Sequence, residues 1–152
     1  MTPRPPRLLA GIVFIASALL VAPVLAADIG VVKVSKGAAT IERAGQRLPA
    51  AVGTKVREGD VVVTGADGSV GVTFSDNSLL SIGPDSRLSI DRFAFDPTTH
   101  KGAFEASLGK GTLAGVSGKI AKQSPDAMKV KTPAALLGVR GTEFVIRTGD
   151  PR

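Results

Sequence analysis

Cysteine, tryptophan and tyrosine are absent from this sequence of 152 residues, and histidine occurs once. Without cysteine, the chain forms neither disulfide bonds nor thiolate metal sites. The aromatic residues are six phenylalanines, so stacking surfaces for single-stranded nucleic acid or for sugars are poorly supplied. The one histidine, His100, lies in the polar stretch 96–101. We therefore expect an exposed loop residue rather than a metal ligand or a catalytic base.

Motifs for catalysis and for metal binding are missing as well. No serine falls in a Gly-x-Ser-x-Gly elbow, and the run GKGT at 109–112 lacks the leading glycine of a phosphate-binding loop. Asp60, Asp67, Asp76 and Asp85 each neighbour Gly, Asn or Ser, without the ligand spacing of a calcium loop. We expect these aspartates to cap their own turns. The sequence predicts no enzyme, no cofactor and no metal site.

The amino terminus has the pattern of a secretory signal. Residues 1–7 carry positive charge without acid, residues 8–20 are apolar, and Val24 and Ala26 are small residues where a signal peptidase reads. We predict a signal peptide over 1–26 and one domain over 27–152. The alternative is an uncleaved anchor, because residues 8–27 are nearly long enough to span a bilayer. No other stretch is apolar enough to do so, and the cleaved chain is expected to have no membrane span.

The charge of the remaining chain is mildly basic. The sequence has 19 Lys and Arg, of which Arg4 and Arg7 belong to the predicted signal, leaving 17 against 13 Asp and Glu. These cations are scattered along the chain rather than clustered. The pattern argues against a nucleic-acid partner.

The pattern after Asp28 predicts an all-β fold of short strands separated by glycine-containing turns. Leu80 and Leu88, like Ile82 and Ile90, are eight residues apart, which is typical of either a sandwich or a small β-solenoid. The run at 61–64 predicts a strand covered on both faces, and residues 47–56 look irregular. Residues 102–108 and 111–116 predict two paired strands, and residues 117–127 a mobile surface loop.

Residues 129–147 (KVKTPAALLGVRGTEFVIR) predict a strand, one helical turn, a glycine hinge and a final strand. Thr132 would cap the turn, with Pro133 as its first residue and Gly138 closing it in the left-handed conformation. Arg140 lies between two glycines and is either presented to a partner or buried as a tether to Asp60 or Glu143. We favour the tether, whose loss in Arg140→Ala would cost roughly 3–5 kcal/mol.

Several short runs carry a family resemblance by their order along the chain. They are GV at 30–31, EGDVVVT at 58–64, FSDNS at 74–78, LLSIGP at 79–84, GTL at 111–113, KTPA at 131–134 and GVRGTEF at 138–144. Together they resemble the FecR domain, an exported module of bacterial regulators of iron-siderophore uptake. The signature positions in this chain are Gly59, Asp60, Asp76, Pro133, Gly138, Arg140, Gly141, Thr142 and Phe144.

The resemblance implies a β-rich module of the Gram-negative periplasm, or a secreted one, that works by contacting another envelope protein. It implies the module without the anti-sigma segment of the regulators. We therefore expect a non-catalytic interaction or sensory module. The alternative is a structural or carbohydrate-associated scaffold of the cell envelope. Residues 92–100 and 117–127 are the expected contact segments.

Overall fold

The computed structural model describes residues 2–4 and 25–149. The predicted signal peptide therefore lies mostly outside the described residues. Within these ranges, no helix has both the length and the apolar character needed to span a bilayer. The strands are β1 (Asp28–Lys36), β2 (Ala39–Arg43), β3 (Gln46–Pro49), β4 (Lys55–Arg57), β5 (Val61–Thr64), β6 (Ser69–Phe74), β7 (Leu79–Ile82), β8 (Arg87–Phe95), β9 (Gly102–Val116), β10 (Met128–Lys131), β11 (Leu136–Gly138) and β12 (Glu143–Thr148). The helix α1 (Lys119–Gln123) and a 3-10 turn (Pro125–Ala127) separate β9 from β10.

The strands form one sheet that curls into a half-barrel. Its first half-sheet has the order β4-β1-β6-β7-β9-β12, and its second half-sheet has the order β3-β2-β5-β8-β9-β10-β11. All neighbours are antiparallel except β10, which runs parallel to β9. The all-β prediction is confirmed, and the curled sheet replaces the stacked rungs of a regular solenoid.

Strand β9 belongs to both half-sheets. Its first part pairs with β8 and β10, and its last part, residues 111–116, pairs with β12, while residues 113–116 also pair with β7. The prediction of two strands joined by a turn is therefore wrong. The glycines were interpreted as a turn, but only Gly111 has a left-handed φ, of +98°. The register with β8 shifts between Arg87 and Leu88, where Gly109 is the extra residue of β9, and from Gly111 onward the same continuous strand pairs with β12 instead.

The core fills the space between the half-sheets. Phe74 on β6 contacts Phe93 on β8 and Phe104 on β9, with ring centroids 5.6 and 4.7 Å away. Leu80 and Ile82 enter this core from β7. Leu88 and Ile90, eight positions later, enter it from β8. The eight-residue spacing therefore reflects two successive strands, one in each half-sheet, that face the same apolar interior.

Two other local predictions are wrong, and the prediction for the strand at 61–64 is confirmed in part. Residues 47–56 include most of β3 and the start of β4, and Pro49 is tolerated because β3 is an edge strand. Strand β5 buries one face and half-buries the other. Residues 117–127 hold α1 and the 3-10 turn, with Ser117, Ile120 and Ala121 buried, so this segment is packed rather than exposed throughout.

The predicted helical turn after Thr132 is instead the turn of the β10–β11 hairpin. The Thr132 N–H donates to the Ala135 carbonyl at 2.8 Å, and its Oγ accepts from the Ala135 N–H at 3.1 Å. Threonine thus caps a tight turn, and β11 pairs back onto β10. The short helix predicted near the carboxyl end is present, but at Lys119–Gln123.

Candidate functional site

A shallow apolar groove lies on the outer face of the first half-sheet, with a volume of about 660 Å³. Its lining comes from β1, β6, β7, β9 and β12. The central row of the groove follows the strand register and consists of Val34, Gly71, Ser81, Ala114 and Val145. Because the three middle residues are small and the two outer ones are valines, the row forms a trough across the strands.

A bulge in β1 creates one end of this groove. Val32 pairs with Val72 and Val34 pairs with Gly71, so that Lys33 is the extra residue. The bulge keeps Val32 in the core and turns Val34 to the outer face, where it is 47% exposed. A methyl group on Gly71 would lie 3.1 Å from the Val34 Cβ. Glycine therefore lets the valine lie close against β6.

A second row of larger side chains forms one side of the groove. Leu79 on β7 pairs with Val116 on β9, and both are at least 37% exposed. Lys33 and Glu143 contribute the charges of the lining, at the two ends of the groove. The other lining side chains are apolar or carry a hydroxyl. The groove is thus suited to binding an apolar segment, because most of its lining side chains are small or apolar.

Asp60 ties two parts of the second half-sheet together. Its carboxylate, 1% exposed, accepts hydrogen bonds from Arg43 Nε at 2.8 Å and Nη2 at 2.6 Å. It also accepts the Arg57 N–H at 2.8 Å. The hydrogen bond from the guanidinium to the Asp60 carboxylate, together with the attraction of the two charges, raises the pKa of Arg43 above its ordinary value. Gly59, which directly precedes Asp60, has φ +87°, a conformation that favours glycine.

Asp76 holds the start of α1. Its buried carboxylate accepts the Ser78 N–H at 3.0 Å, the Ser78 hydroxyl at 2.7 Å and the Ile120 N–H at 3.4 Å. Its carbonyl accepts the Lys119 N–H at 2.8 Å, and Ser78 Oγ accepts the Gly118 N–H at 3.0 Å. Gly118 is the N-cap and has no side chain to cap the helix. The β6–β7 turn therefore satisfies the free N–H groups of α1.

Arg140 is an exposed residue in the loop between β11 and β12. Its Nη2 lies 2.7 Å from Asp126 Oδ1, and the two side chains are 73% and 78% exposed. The predicted buried tether to Asp60 or Glu143 is wrong, because Asp60 is already paired with Arg43. The guanidinium is instead presented at the surface, beside the 3-10 turn.

The backbone of the same loop is held firmly. Val139 is buried, and its N–H donates to the Met128 carbonyl at 2.9 Å. The Ser117 N–H donates to the Thr142 carbonyl at 2.8 Å, and the Ser117 hydroxyl donates to the Gly141 carbonyl. Gly141 has φ +111°, a conformation that favours glycine. The loop thus docks onto the end of β9.

The remaining signature positions lie apart from this loop's hydrogen bonds. Pro133 is exposed in the β10–β11 turn, and Gly138 ends β11. Gly138 is not among the glycines of positive φ, so the predicted left-handed closure is wrong. Phe144 is half-buried on β12 and packs against the core. The signature residues are therefore distributed over the turns and edges of the sheet and do not converge on one pocket.

The comparison with known families decides the identity of this chain. The family described as FecR protein matches residues 60–152, which is more than half of the chain. The chain belongs to the FecR family. No curated protein matches the chain, and no solved structure matches it.

FecR proteins are a signalling and regulatory family without enzymatic activity. The match starts at Asp60, so β1 to β4 precede the matched residues although β1 pairs with β6 inside them.

Within the part of the chain that the structure describes, no three His, Asp or Glu side chains are grouped as a metal site would require. His100 lies in the 96–101 turn with φ +58° and stacks on Phe95 at 6.2 Å.

The groove of this FecR protein does not follow from its sequence pattern. Its middle residues are a glycine, a serine and an alanine on three different strands, and such residues give no signal individually. One signal was available in the residues of β6 and β7 that face outward. These are Ser69, Gly71, Thr73 and Ser81, all small, where larger polar residues are usual on a face exposed to solvent. The two predicted contact segments, 92–100 and 117–127, are not among the residues that line the groove.

Proposed function

We propose that this FecR protein is exported to the periplasm and works there as a non-catalytic interaction module with a sensory or signalling role. Its partner is another envelope protein, which places a short apolar segment in the groove of the first half-sheet. The observation that carries the proposal is the groove itself, a trough with a floor of small residues and apolar sides. A signalling and regulatory family without enzymatic activity needs such a recognition surface.

The dimensions of the groove favour an extended segment. Five neighbouring strands, from β1 to β12, give a span of about 19 Å at the usual strand spacing. An extended peptide of about six residues covers that length. The floor of Gly71, Ser81 and Ala114 lets a backbone approach closely, and the exposed Val34 and Val145 would pack against apolar side chains at its two ends.

Among the described residues, the aromatic side chains do not favour the alternative of a carbohydrate-associated scaffold. Phe74, Phe93 and Phe104 are buried in the core, and Phe95 and Phe144 are half-buried against it. Sugar recognition usually needs an aromatic ring exposed as a platform. The groove offers apolar aliphatic contacts, which are suited to a protein segment.

Export is tested by expressing the full chain in a Gram-negative host and fractionating the cells. We expect a periplasmic product whose mass corresponds to a chain that starts at Ala27. As a control, Ala26→Arg should block cleavage, because signal peptidases require a small residue there. A wild-type product that keeps residues 1–26 would show that the segment remains as an anchor.

Partner binding is tested by placing a photo-crosslinking amino acid at Ser81, in the floor of the groove. The matched control carries the same probe at Ser75, an exposed serine in the β6–β7 turn outside the groove. We expect an adduct with a discrete envelope protein at position 81 and not at position 75. The additional substitution Ala114→Arg, which fills the groove, should abolish it. No adduct at 81, or equal adducts at both positions, would contradict the groove as the binding site.

A further inference from the structure

Strand β12 is a long edge of the sheet that, within the described residues, has neither a proline nor a bulge. Among the described residues, the other edge strands are short or contain proline: β4 and β11 have three residues each, and β3 ends with Pro49. Strand β12 has six residues without proline and pairs with β9 in an unbroken register. Edges of this length normally carry a bulge, a proline or a covering element. One side of β12 is thus available for strand pairing.

The sequence of β12 is self-complementary. Glu143, Val145 and Arg147 point to the outer face, and Val145 is 70% exposed. In an antiparallel pairing of two β12 strands with Val145 opposite Val145, each Glu143 lies opposite an Arg147. If the register shifts by two residues, a charged side chain lies opposite a valine. If it shifts by one, the outward-facing residues of one strand lie opposite the inward-facing residues of the other. Only the register centred on Val145 pairs both charges.

The inner face of β12 agrees with the same register. Phe144 and Ile146 are half-buried against the core. In the pairing centred on Val145, each Phe144 lies opposite an Ile146 of the other copy. The apolar layer of one sheet then continues into the next, and the open side of the core is covered. Both faces of the strand therefore favour one and the same alignment.

We propose that this protein forms a dimer in which β12 of two copies pair antiparallel about a two-fold axis at Val145. The contact is isologous, as expected for a closed dimer. The favoured occupant is a second copy, since opposite charges placed symmetrically about an apolar centre are complementary to themselves. A strand from another protein would gain the backbone hydrogen bonds but not this charge match. The inference concerns the edge of the sheet and does not depend on partner binding in the groove.

The absence of native cysteine allows a direct test with Val145→Cys. Opposed residues in antiparallel strands have Cα atoms about 4.5–5.5 Å apart, which is within the range that a disulfide bridges. The matched control is Val52→Cys, an exposed valine in the β3–β4 loop. In a glutathione redox buffer we expect a disulfide-linked dimer of the 145 variant in large excess over the 52 variant. Equal crosslinking of the two would overturn the proposal.

Charge reversal tests the register. Glu143→Arg places arginine opposite Arg147 twice, and Arg147→Glu places glutamate opposite Glu143 twice. Each should raise the dimer dissociation constant by at least about tenfold, since two cross-strand pairs become repulsive. The double variant E143R/R147E restores opposite charges and should restore the dimer. Lys122→Glu, on the exposed side of α1, is the control and should leave the dimer unchanged.

The association is measured by sedimentation of the purified chain with interference optics, because the chain lacks tryptophan and tyrosine. A wild-type chain that stays monomeric at about 100 μM would overturn the proposal. A dimer that the single reversals weaken but the double variant does not restore would refute this register. Circular dichroism of each variant separates loss of the dimer from loss of the fold.

Discussion

Asp60 and Arg43 show how one buried carboxylate organises the residues around it. The aspartate side chain is 1% exposed, and the arginine is 26% exposed. Three donors, two from the guanidinium and one from the Arg57 backbone, surround its two oxygens. A buried carboxylate needs such complete pairing because its desolvation is costly. The pair therefore links β2 to the turn that starts β5.

Replacing Asp60 with asparagine should destabilise the protein by about 3 kcal/mol, because the guanidinium loses its charge partner in a largely buried setting. Urea denaturation followed by circular dichroism measures the change. The control is Asp28→Asn, which removes an exposed partner of Arg57 and should cost less than about 1 kcal/mol. Equal effects of the two substitutions would show that burial does not set the strength of the Asp60 pair.

Arg140 is the opposite case, an ion pair at the surface. Because both it and Asp126 are mostly exposed, Arg140→Ala should lower the free energy of unfolding by less than about 1 kcal/mol. The same denaturation experiment measures this, and raising the salt concentration should reduce the difference further. A loss of several kcal/mol would support the buried tether predicted from the sequence.

At the scale of elements, β9 allows the two half-sheets to share a strand. Gly111 has φ +98°, and a side chain there would collide with Ser86. The Ser86 hydroxyl also accepts the Thr112 N–H at 3.0 Å. The crossing from one half-sheet to the other thus depends on a glycine and a serine in contact.

Gly111→Ala should destabilise the protein by about 2–3 kcal/mol, since the new methyl group meets both an unfavourable φ and a steric clash. The control is Gly109→Ala, two residues away in the same strand, where the nearest atom would be 3.9 Å from the added methyl group. Its cost should stay below about 1 kcal/mol. Thermal unfolding of the two variants compares them directly. Similar melting temperatures would contradict the requirement for glycine at 111.

At the scale of the molecule, the two half-sheets share one core and should unfold together. Ile29 and Val32 from β1 and Val56 from β4 belong to the same cluster as Phe104 from β9. These three residues precede the part of the chain that matches the FecR family. The matched part therefore does not contain the whole core.

Deleting residues 27–59 should abolish cooperative unfolding, because it removes β1 to β4, leaves one edge of β6 and one edge of β5 unpaired and exposes the core. Amide chemical-shift dispersion and the thermal transition measure the effect. A deletion variant with a sharp transition and dispersed amide signals would show instead that residues 60–152 fold independently.

The sequence alone determined the fold class, the family and several of the strands and turns. Alternation of apolar residues predicted the strands from β6 to β8, because each pattern of period two has one face in the core. The turn aspartates were predicted correctly at Asp76, whose carboxylate accepts the Ser78 N–H two residues on. Such features depend on neighbours within a few residues, and those neighbours are visible in the sequence.

Tertiary structure decided what depends on residues far apart in the chain. The partner of Asp60 is 17 residues away, and Ile120, whose N–H the Asp76 carboxylate accepts at the start of α1, is 44 positions on. The groove joins residues of five strands by register, and the bulge at Lys33 sets which valine faces it. Local pattern cannot reveal these contacts, because strand order and register follow from packing the whole core.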